Sequence, residues 1–416
     1  MNHQMTRILT VFTFLLLLVT SCSKKDTKNF DKTDLPNFGN VDLDKIFDNK
    51  NLDLEHKDSI VATLNNYYQS IWEGSDLSGG LLIAKGDKII FEKYRGFGRA
   101  DSSKPIDEKT PLHVASVSKT LTAMAVLKLV EAGKIQLDQK LTTIFPQFPY
   151  PEVSVFHLLS QRSGLPKYEY WVQELKFKAD KKFITNHDVL ELLMTHKPEL
   201  ARPTDTGFMY CNTNFALLAL IVEKITKTNF PDAMQEMVFK PLKMKHSFVY
   251  QEKDSATATQ SFYYKGNRLH PMDQLDLIYG DKNVYTTPRD LLQFSKAMYA
   301  HNFLRKDLMD KVFVPYSNEK PGINNYGLGF RMKVFDNGEK LTYHNGWWHG
   351  SNAVFAHLLK SNVTIIALGN KFSRRVYTAL SLSGLFENYP IEIEKFKKTM
   401  NPDQDTLRDI NDVFGE

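Results

Sequence analysis

Apolar residues recur along this chain in several rhythms, and the rhythm changes in a fixed order. Ile8 to Val19 is apolar except for Thr10 and Thr13, and from Ser23 to about Lys57 the chain turns to Asp, Lys and Asn with scattered apolar positions. Two short apolar runs follow, Gly80-Leu81-Leu82-Ile83-Ala84 and Ile89-Ile90-Phe91-Glu92-Lys93. Separated by Lys85-Gly86-Asp87-Lys88, they predict a β-hairpin with a glycine in its turn. Ser118 to Ala132 consists mostly of apolar or helix-favouring residues and predicts a buried helix that stops at Gly133. Between His157 and Leu242 the spacing predicts several helices, one of them over Asn214 to Lys227. Strand patterns return at Tyr326–Phe335, Lys340–Trp347, Asn352–Leu359 and Val363–Leu368, with short turns at Asp336-Asn337-Gly338 and Lys360-Ser361-Asn362. Arg374 to Asn388 reads as a further helix, and 390–416 as a polar tail.

Strands at both ends with helices between them predict an α+β fold, because alternating strand and helix would be needed for a parallel α/β sheet. The expected architecture is one antiparallel sheet built from N- and C-terminal segments, flanked by helices, with a helical region inserted between. The junction of two such regions is a natural cleft. The globular domain is expected over 58–389, preceded by a polar tether over 22–57.

The first residues belong to targeting. An apolar run of about 12 residues behind Arg7 is too short for a bilayer, where about 20 are needed, and reads as the core of a signal peptide over 1–21. Its end, Val19-Thr20-Ser21-Cys22, resembles the lipobox of bacterial lipoproteins, which implies lipidation of Cys22 and a domain held by lipid in the bacterial cell envelope, facing periplasm or outside. Cys211 is then left without a partner, so no internal disulfide is expected. The formal net charge is +5 over 416 residues, with basic and acidic residues interspersed. That is no nucleic-acid footprint, which needs clustered basic residues on one face.

Three short motifs carry candidate chemistry. Ser-x-x-Lys occurs at Ser21, Ser116 and Ser317, but only Ser116 opens a buried helix. Lys119 lies one turn on, on the same helix face, where Cβ atoms are about 5–6 Å apart, so its amine can reach the Ser116 hydroxyl. Serine is a weak nucleophile until a base takes its proton, and a lysine serves as base only where burial disfavours its charge. Tyr-x-Asn occurs at Tyr210, Tyr316 and Tyr343; Tyr210 is singled out because it directly precedes a helix in the helical insert. There a phenol can pass a proton to a leaving group, and Asn212 can orient Lys119 and a substrate amide. His344-Asn345-Gly346 lies on a predicted strand, where the glycine permits close approach of a substrate backbone. The N–H of Trp347, with that of Ser116, completes a candidate oxyanion hole. His344 and His349 flank a glycine turn with no further ligand cluster nearby in sequence, so no metal is expected, and no cofactor is implied.

These residues resemble the serine β-lactamase and penicillin-binding-protein superfamily, closest to class C β-lactamases and related D-alanyl carboxypeptidases and esterases. The likeness extends to His157-Leu158-Leu159-Ser160-Gln161-Arg162-Ser163-Gly164-Leu165-Pro166, to Phe208–Phe215, to Pro241-Leu242-Lys243-Met244, to Gly280–Leu291 and to Tyr326-Gly327-Leu328-Gly329. It implies that Ser116 is acylated, that Lys119 and Tyr210 share the acid–base work, and that Asn212 and the strand at His344 hold an ester, amide or peptide substrate. One position departs: His344 and Asn345 stand where such enzymes carry Lys-Thr, so a permanent cation for a substrate carboxylate is missing. That counts against β-lactam hydrolysis and leaves esters, D-amino peptides and other amides open; the alternative is a penicillin-recognising or cell-wall-sensing binding lipoprotein with little or no turnover.

Overall fold

The apolar runs at the two ends of the domain have no polar side because both faces of the strands they form are covered. The computed structural model describes residues 57–300 and 303–389, all in one compact unit; Cys22, the leader, the tether and the tail lie outside the described residues. Helix α1 (Lys57–Tyr68) leads into the hairpin β1 (Gly79–Lys85) and β2 (Lys88–Arg95). The chain returns to the same sheet after the helical region, as β6 (Asn324–Tyr326), β7 (Arg331–Val334), β8 (Lys340–Trp348), β9 (Ser351–Leu358) and β10 (Val363–Gly369). The strand order is β2-β1-β10-β9-β8-β7-β6, antiparallel throughout, with β1 and β10 paired from Gly79–Gly369 to Lys85–Val363. N- and C-terminal segments thus share one sheet.

Alternation decides which core each residue enters. Leu82, Phe355, Ile366 and Leu368 join the large core on the helical face, while Leu81, Ile83, Val354, Ile365 and Ala367 join a smaller one built with Leu64, Tyr68, Trp72 and Val376. Burying each such Leu or Ile contributes roughly 1.5–3 kcal/mol, so a sheet covered on both faces selects continuous apolar runs over alternating ones.

The large core is centred on two helices, α2 (Ser118–Glu131) and α4 (Asn212–Thr226), with α3 (Asn186–His196) beside α4. Ser118 to Leu129 of α2 is buried without a break, and Gly133 follows within two residues of its end. A small second sheet joins β3 (Leu112–His113), β4 (Phe248–Val249) and β5 (Val284–Thr286). Among the described residues no helix is long and apolar enough to cross a membrane.

Two expected elements differ. The strand expected over Tyr326–Phe335 is two strands, broken where Gly329 turns with φ +84° against α2; a Cβ there would sit 2.4 Å from that of Ala123. The α-helix expected over Arg374–Asn388 is a run of tighter 3-10 turns over Arg374–Leu385. Thr378, Ser381 and Ser383 donate their hydroxyls to carbonyls three residues back, at 2.7 Å each, a local bonding that competes with the regular i→i−4 pattern.

Candidate active site

Ser116 sits in a single 3-10 turn (Ala115–Val117) that hands the chain from β3 to α2. Ala115 before it adopts φ +47°, a left-handed conformation that a residue with a Cβ holds only when its surroundings enforce it. The enforcement is visible: the amide of Val114 donates to the Val284 carbonyl of β5 at 3.0 Å. Lys119, one turn on, is fully buried. Its Nζ donates to Ser116 Oγ at 3.0 Å and to the backbone carbonyl of Asp281 at 2.8 Å, and it lies 5.0 Å from the ring centroid of Tyr210 and 5.8 Å from that of Phe215. Amine, hydroxyl and phenol ring therefore converge, and the helix spacing accounts for the Ser116–Lys119 part.

Tyr210 is held from below by the segment at Gln161. The Met209 amide donates to the Gln161 carbonyl at 2.9 Å, and the Cys211 amide to the Gln161 side chain at 3.0 Å. Cys211 is buried behind this wall with its thiol donating to the Leu165 carbonyl, and burial pushes that thiol up to about 11. The Arg331 guanidinium stands 4.5 Å from the Tyr210 ring centroid. Asn212 is not bonded to Lys119 as expected; its amide donates to Glu169 Oε1, which leaves Asn212 Oδ1 and Glu169 Oε2 buried without partners.

The third wall is a free strand edge. β7 pairs with β8 only from Lys340 to Tyr343, while β9 accompanies β8 to Trp348. Among the described strands, residues 344–348 thus have a neighbour on one side alone. Gly346 on this edge lies against the nucleophile's turn: a Cβ there would be 2.2 Å from the Val114 carbonyl oxygen and 3.2 Å from the Ser116 amide nitrogen. Asn345, Gly346 and Trp347 line the cavity with Ser116, Tyr210 and Asn212. His344 does not: it shares the face of Gly346 but lies behind the Tyr210 ring, 6.3 Å between centroids, where it is fully buried with Nε2 3.3 Å from the Tyr326 hydroxyl. Burial, with the nearby charges of Arg331 and Lys119, holds its imidazole well below the usual range. As a direct substrate contact it is corrected to a neutral residue behind the wall.

The cavity measures about 630 Å³ and is largely aromatic, with Tyr170, Tyr263, Trp347, Trp348 and Phe372 around it. Its charged residues, Lys167, Glu169, Asp273, Arg331 and Arg374, come from segments that carry no motif. Burial pushes the Glu169 carboxyl above the usual carboxylate range, with Asp281 adding repulsion. The Asp281 carbonyl could have been suspected from the Gly280–Leu291 stretch, but Glu169 and Arg331 had no sequence signal. The absence of ligands near His349 is also corrected: Asp273, Asp276 and His349 bring one ligand atom each within 4.8 Å of one another. Asp276 and His349 already partner each other, with His349 Nε2 at 2.8 Å from Asp276 Oδ1 and the Trp348 indole donating to that oxygen at 2.6 Å, while Asp273 Oδ1 accepts from the Leu275 amide at 2.8 Å.

A buried amine on a serine at a helix start, a phenol beside both and an open strand edge opposite define a serine acyl-transfer site on a mixed fold of helices and antiparallel sheet. The chain belongs to the Beta-lactamase family, which matches residues 64–381, and is a serine hydrolase of that family. It is 26% identical over 326 residues to a penicillin-binding protein of Bacillus subtilis, covering 74% of this chain and 71% of that protein. To the D-aminopeptidase of Brucella anthropi it is 23% identical over 326 residues, covering 76% of this chain and 59% of that protein. Among solved structures, a penicillin binding protein from Bacillus halodurans superposes with TM-score 0.67 at 26% identity over 80% of this chain and 100% of its own. The D-amino acid amidase from Ochrobactrum anthropi SV3 shares the fold, with TM-score 0.61 at 19% identity over 77% of this chain and 99% of its own.

Proposed function

We propose that this protein is a lipid-anchored hydrolase of the bacterial cell envelope that cleaves an ester or amide through an acyl-Ser116 intermediate, and that it favours acyl groups carrying a free amine. The observation that carries the chemistry is the 3.0 Å contact between Lys119 Nζ and Ser116 Oγ beside the Tyr210 ring. Lys119 and Tyr210 act as one acid–base pair: it accepts the Ser116 proton as the hydroxyl attacks the carbonyl carbon, then returns that proton to the leaving amine or alcohol. The oxyanion lies against the amides of Ser116 and Trp347 at the Gly346 edge. Water, deprotonated by the same pair, then releases the acyl group and restores the serine.

The amine preference rests on Glu169 Oε2 and Asn212 Oδ1, two spare acceptors on residues that line the cavity and are tied together by the Asn212–Glu169 bond. Buried acceptors without donors are costly and await a ligand that donates; an ammonium does so and also answers the carboxylate's charge. Names among the relatives, D-aminopeptidase and D-amino acid amidase, point the same way. The second reading, a binding lipoprotein with little turnover, is favoured by one observation: a buried His344 stands where a permanent cation is expected.

The test is a fluorophosphonate or penicillin label followed by peptide mass spectrometry and a chromogenic ester assay. A label on Ser116 with multiple turnover is expected; turnover by Ser116→Ala protein refutes the mechanism, and labelling without turnover supports the binding reading.

A further inference from the structure

Behind Lys119 lies a second buried charged group that the acyl-transfer steps do not use. The carbonyl of Asp281 receives Lys119, while its side chain points the other way and is fully buried. Asp281 Oδ2 accepts from the Tyr168 hydroxyl at 2.8 Å and from Lys282 Nζ at 3.4 Å, and Lys282 Nζ donates to the Tyr168 hydroxyl at 2.6 Å. Lys282 is 2% exposed, with its amine 4.4 Å from the Trp348 ring centroid. Two charges buried next to each other are expensive to keep and costly to break singly.

The segment that carries this pair is lashed along α2. Thr122 donates to the Gly280 carbonyl at 2.8 Å, Lys119 to that of Asp281, and the Val284 amide to Ser118 Oγ at 3.0 Å. Tyr168 adds a link to the opposite wall, because its own amide donates to Thr213 Oγ1 at 2.9 Å, three residues beyond Tyr210. Tyr168 therefore joins the Asp281 side chain, through its hydroxyl, to the start of α4, through its amide.

We infer that Asp281, Lys282 and Tyr168 are positioning residues, a buried ion pair and its bridging phenol that fix the Asp281 peptide so that its carbonyl keeps Lys119 Nζ on Ser116. The carbonyl cannot swing from Lys119 without pulling the carboxylate from both of its donors. Lys119, with its long flexible chain, is thus held from the side away from the substrate. This inference rests on the acyl-serine reading.

The experiment measures Ser116 labelling by a fluorophosphonate, and kcat and KM on p-nitrophenyl butyrate, for the full chain and three variants. Lys282→Met keeps the side-chain length but leaves the Asp281 carboxylate without its cation. It should lower kcat and the labelling rate by about 10- to 100-fold, since a misplacement near 1 Å costs that much, with KM within about threefold. Tyr168→Phe, which removes one hydroxyl and is mild enough to fold, should lower kcat about tenfold with the same split. Asp281→Asn/Lys282→Met removes both charges and should recover most of the loss. A loss confined to KM or to melting temperature, or no recovery in the double variant, overturns the inference. If the unaltered protein is not labelled at Ser116, the acyl-serine reading fails and the inference with it; labelling at one rate in all proteins sinks the inference alone.

Discussion

Gly346 and Ser116 approach each other so closely that no side chain fits between strand and nucleophile: a Cβ on Gly346 would lie 3.2 Å from the Ser116 amide nitrogen and 2.2 Å from the Val114 carbonyl oxygen. The obstructing atoms are backbone, so a methyl group there cannot be absorbed by a rotamer change. It must push β8 away from the turn that carries Ser116, at a cost in stability of about 1–3 kcal/mol.

Gly346→Ala should accordingly lower kcat/KM on a chromogenic ester by about 100-fold. Circular dichroism should still report a folded protein, with a melting temperature a few degrees lower. A folded variant of unaltered kcat/KM would show that the oxyanion is not stabilised at this edge.

Lys119→Met and Tyr210→Phe should each lower kcat by about 100- to 10,000-fold. Because the two side chains share one proton inventory, the double variant should be little worse than the poorer single one. Multiplicative losses, measured as single-turnover rates, would mean that they act in separate steps.

Glu169→Gln should erase a preference, not activity in general. Measured as the ratio of kcat/KM for an α-aminoacyl p-nitrophenyl ester to that for its des-amino analogue, the advantage of the amine should fall by about tenfold, the loss of one charge-assisted hydrogen bond. A ratio unchanged by the substitution would remove Glu169 from substrate recognition.

Stability should decline on mild acidification, and buried histidines set the sign. Burial holds His113 and His357 down to about 3 from 6.5, so between those values the unfolded chain binds protons that the folded one refuses. Their contribution is complete above pH 6.5 and is lost as pH falls toward 3, at about 1.4 kcal/mol per pH unit for each proton. His187, raised by its bond to Glu223, works in the opposite direction. In denaturant titrations between pH 6.5 and 5, His357→Asn should give a flatter dependence of stability on pH than the parent. An equal slope would mean that His357 titrates alike in both states.

Cys22→Ala should release the protein from membranes into the soluble fraction, because stable anchoring by lipid needs the acyl chains this cysteine is proposed to carry. Continued sedimentation with membranes would argue for another attachment.

Most of the framework was legible because its signals are local. The hairpin at Gly80–Lys93, the buried helix after Ser116 and the strands from Lys340 to Leu368 each show an apolar run whose length and flanking turn residues fit one element. The split at Gly329 and the 3-10 turns after Arg374 were not, since a close contact with Ala123 and a set of hydroxyl bonds decide them.

The site divides the same way. The chain by itself singled out which residues could do the chemistry, since Ser116 and Lys119 stand one helix turn apart, Tyr210 directly precedes a helix and Gly346 lies in a strand motif. Only the tertiary structure decided what surrounds them. Glu169 and Asp281 are separated from Ser116 in sequence by 53 and 165 positions, and no local period announces a carboxylate under an asparagine or a carbonyl under a lysine. His344 shows the converse: its motif suggested a substrate contact, but the packing of Tyr210 and Tyr326 covers its ring behind the cavity wall.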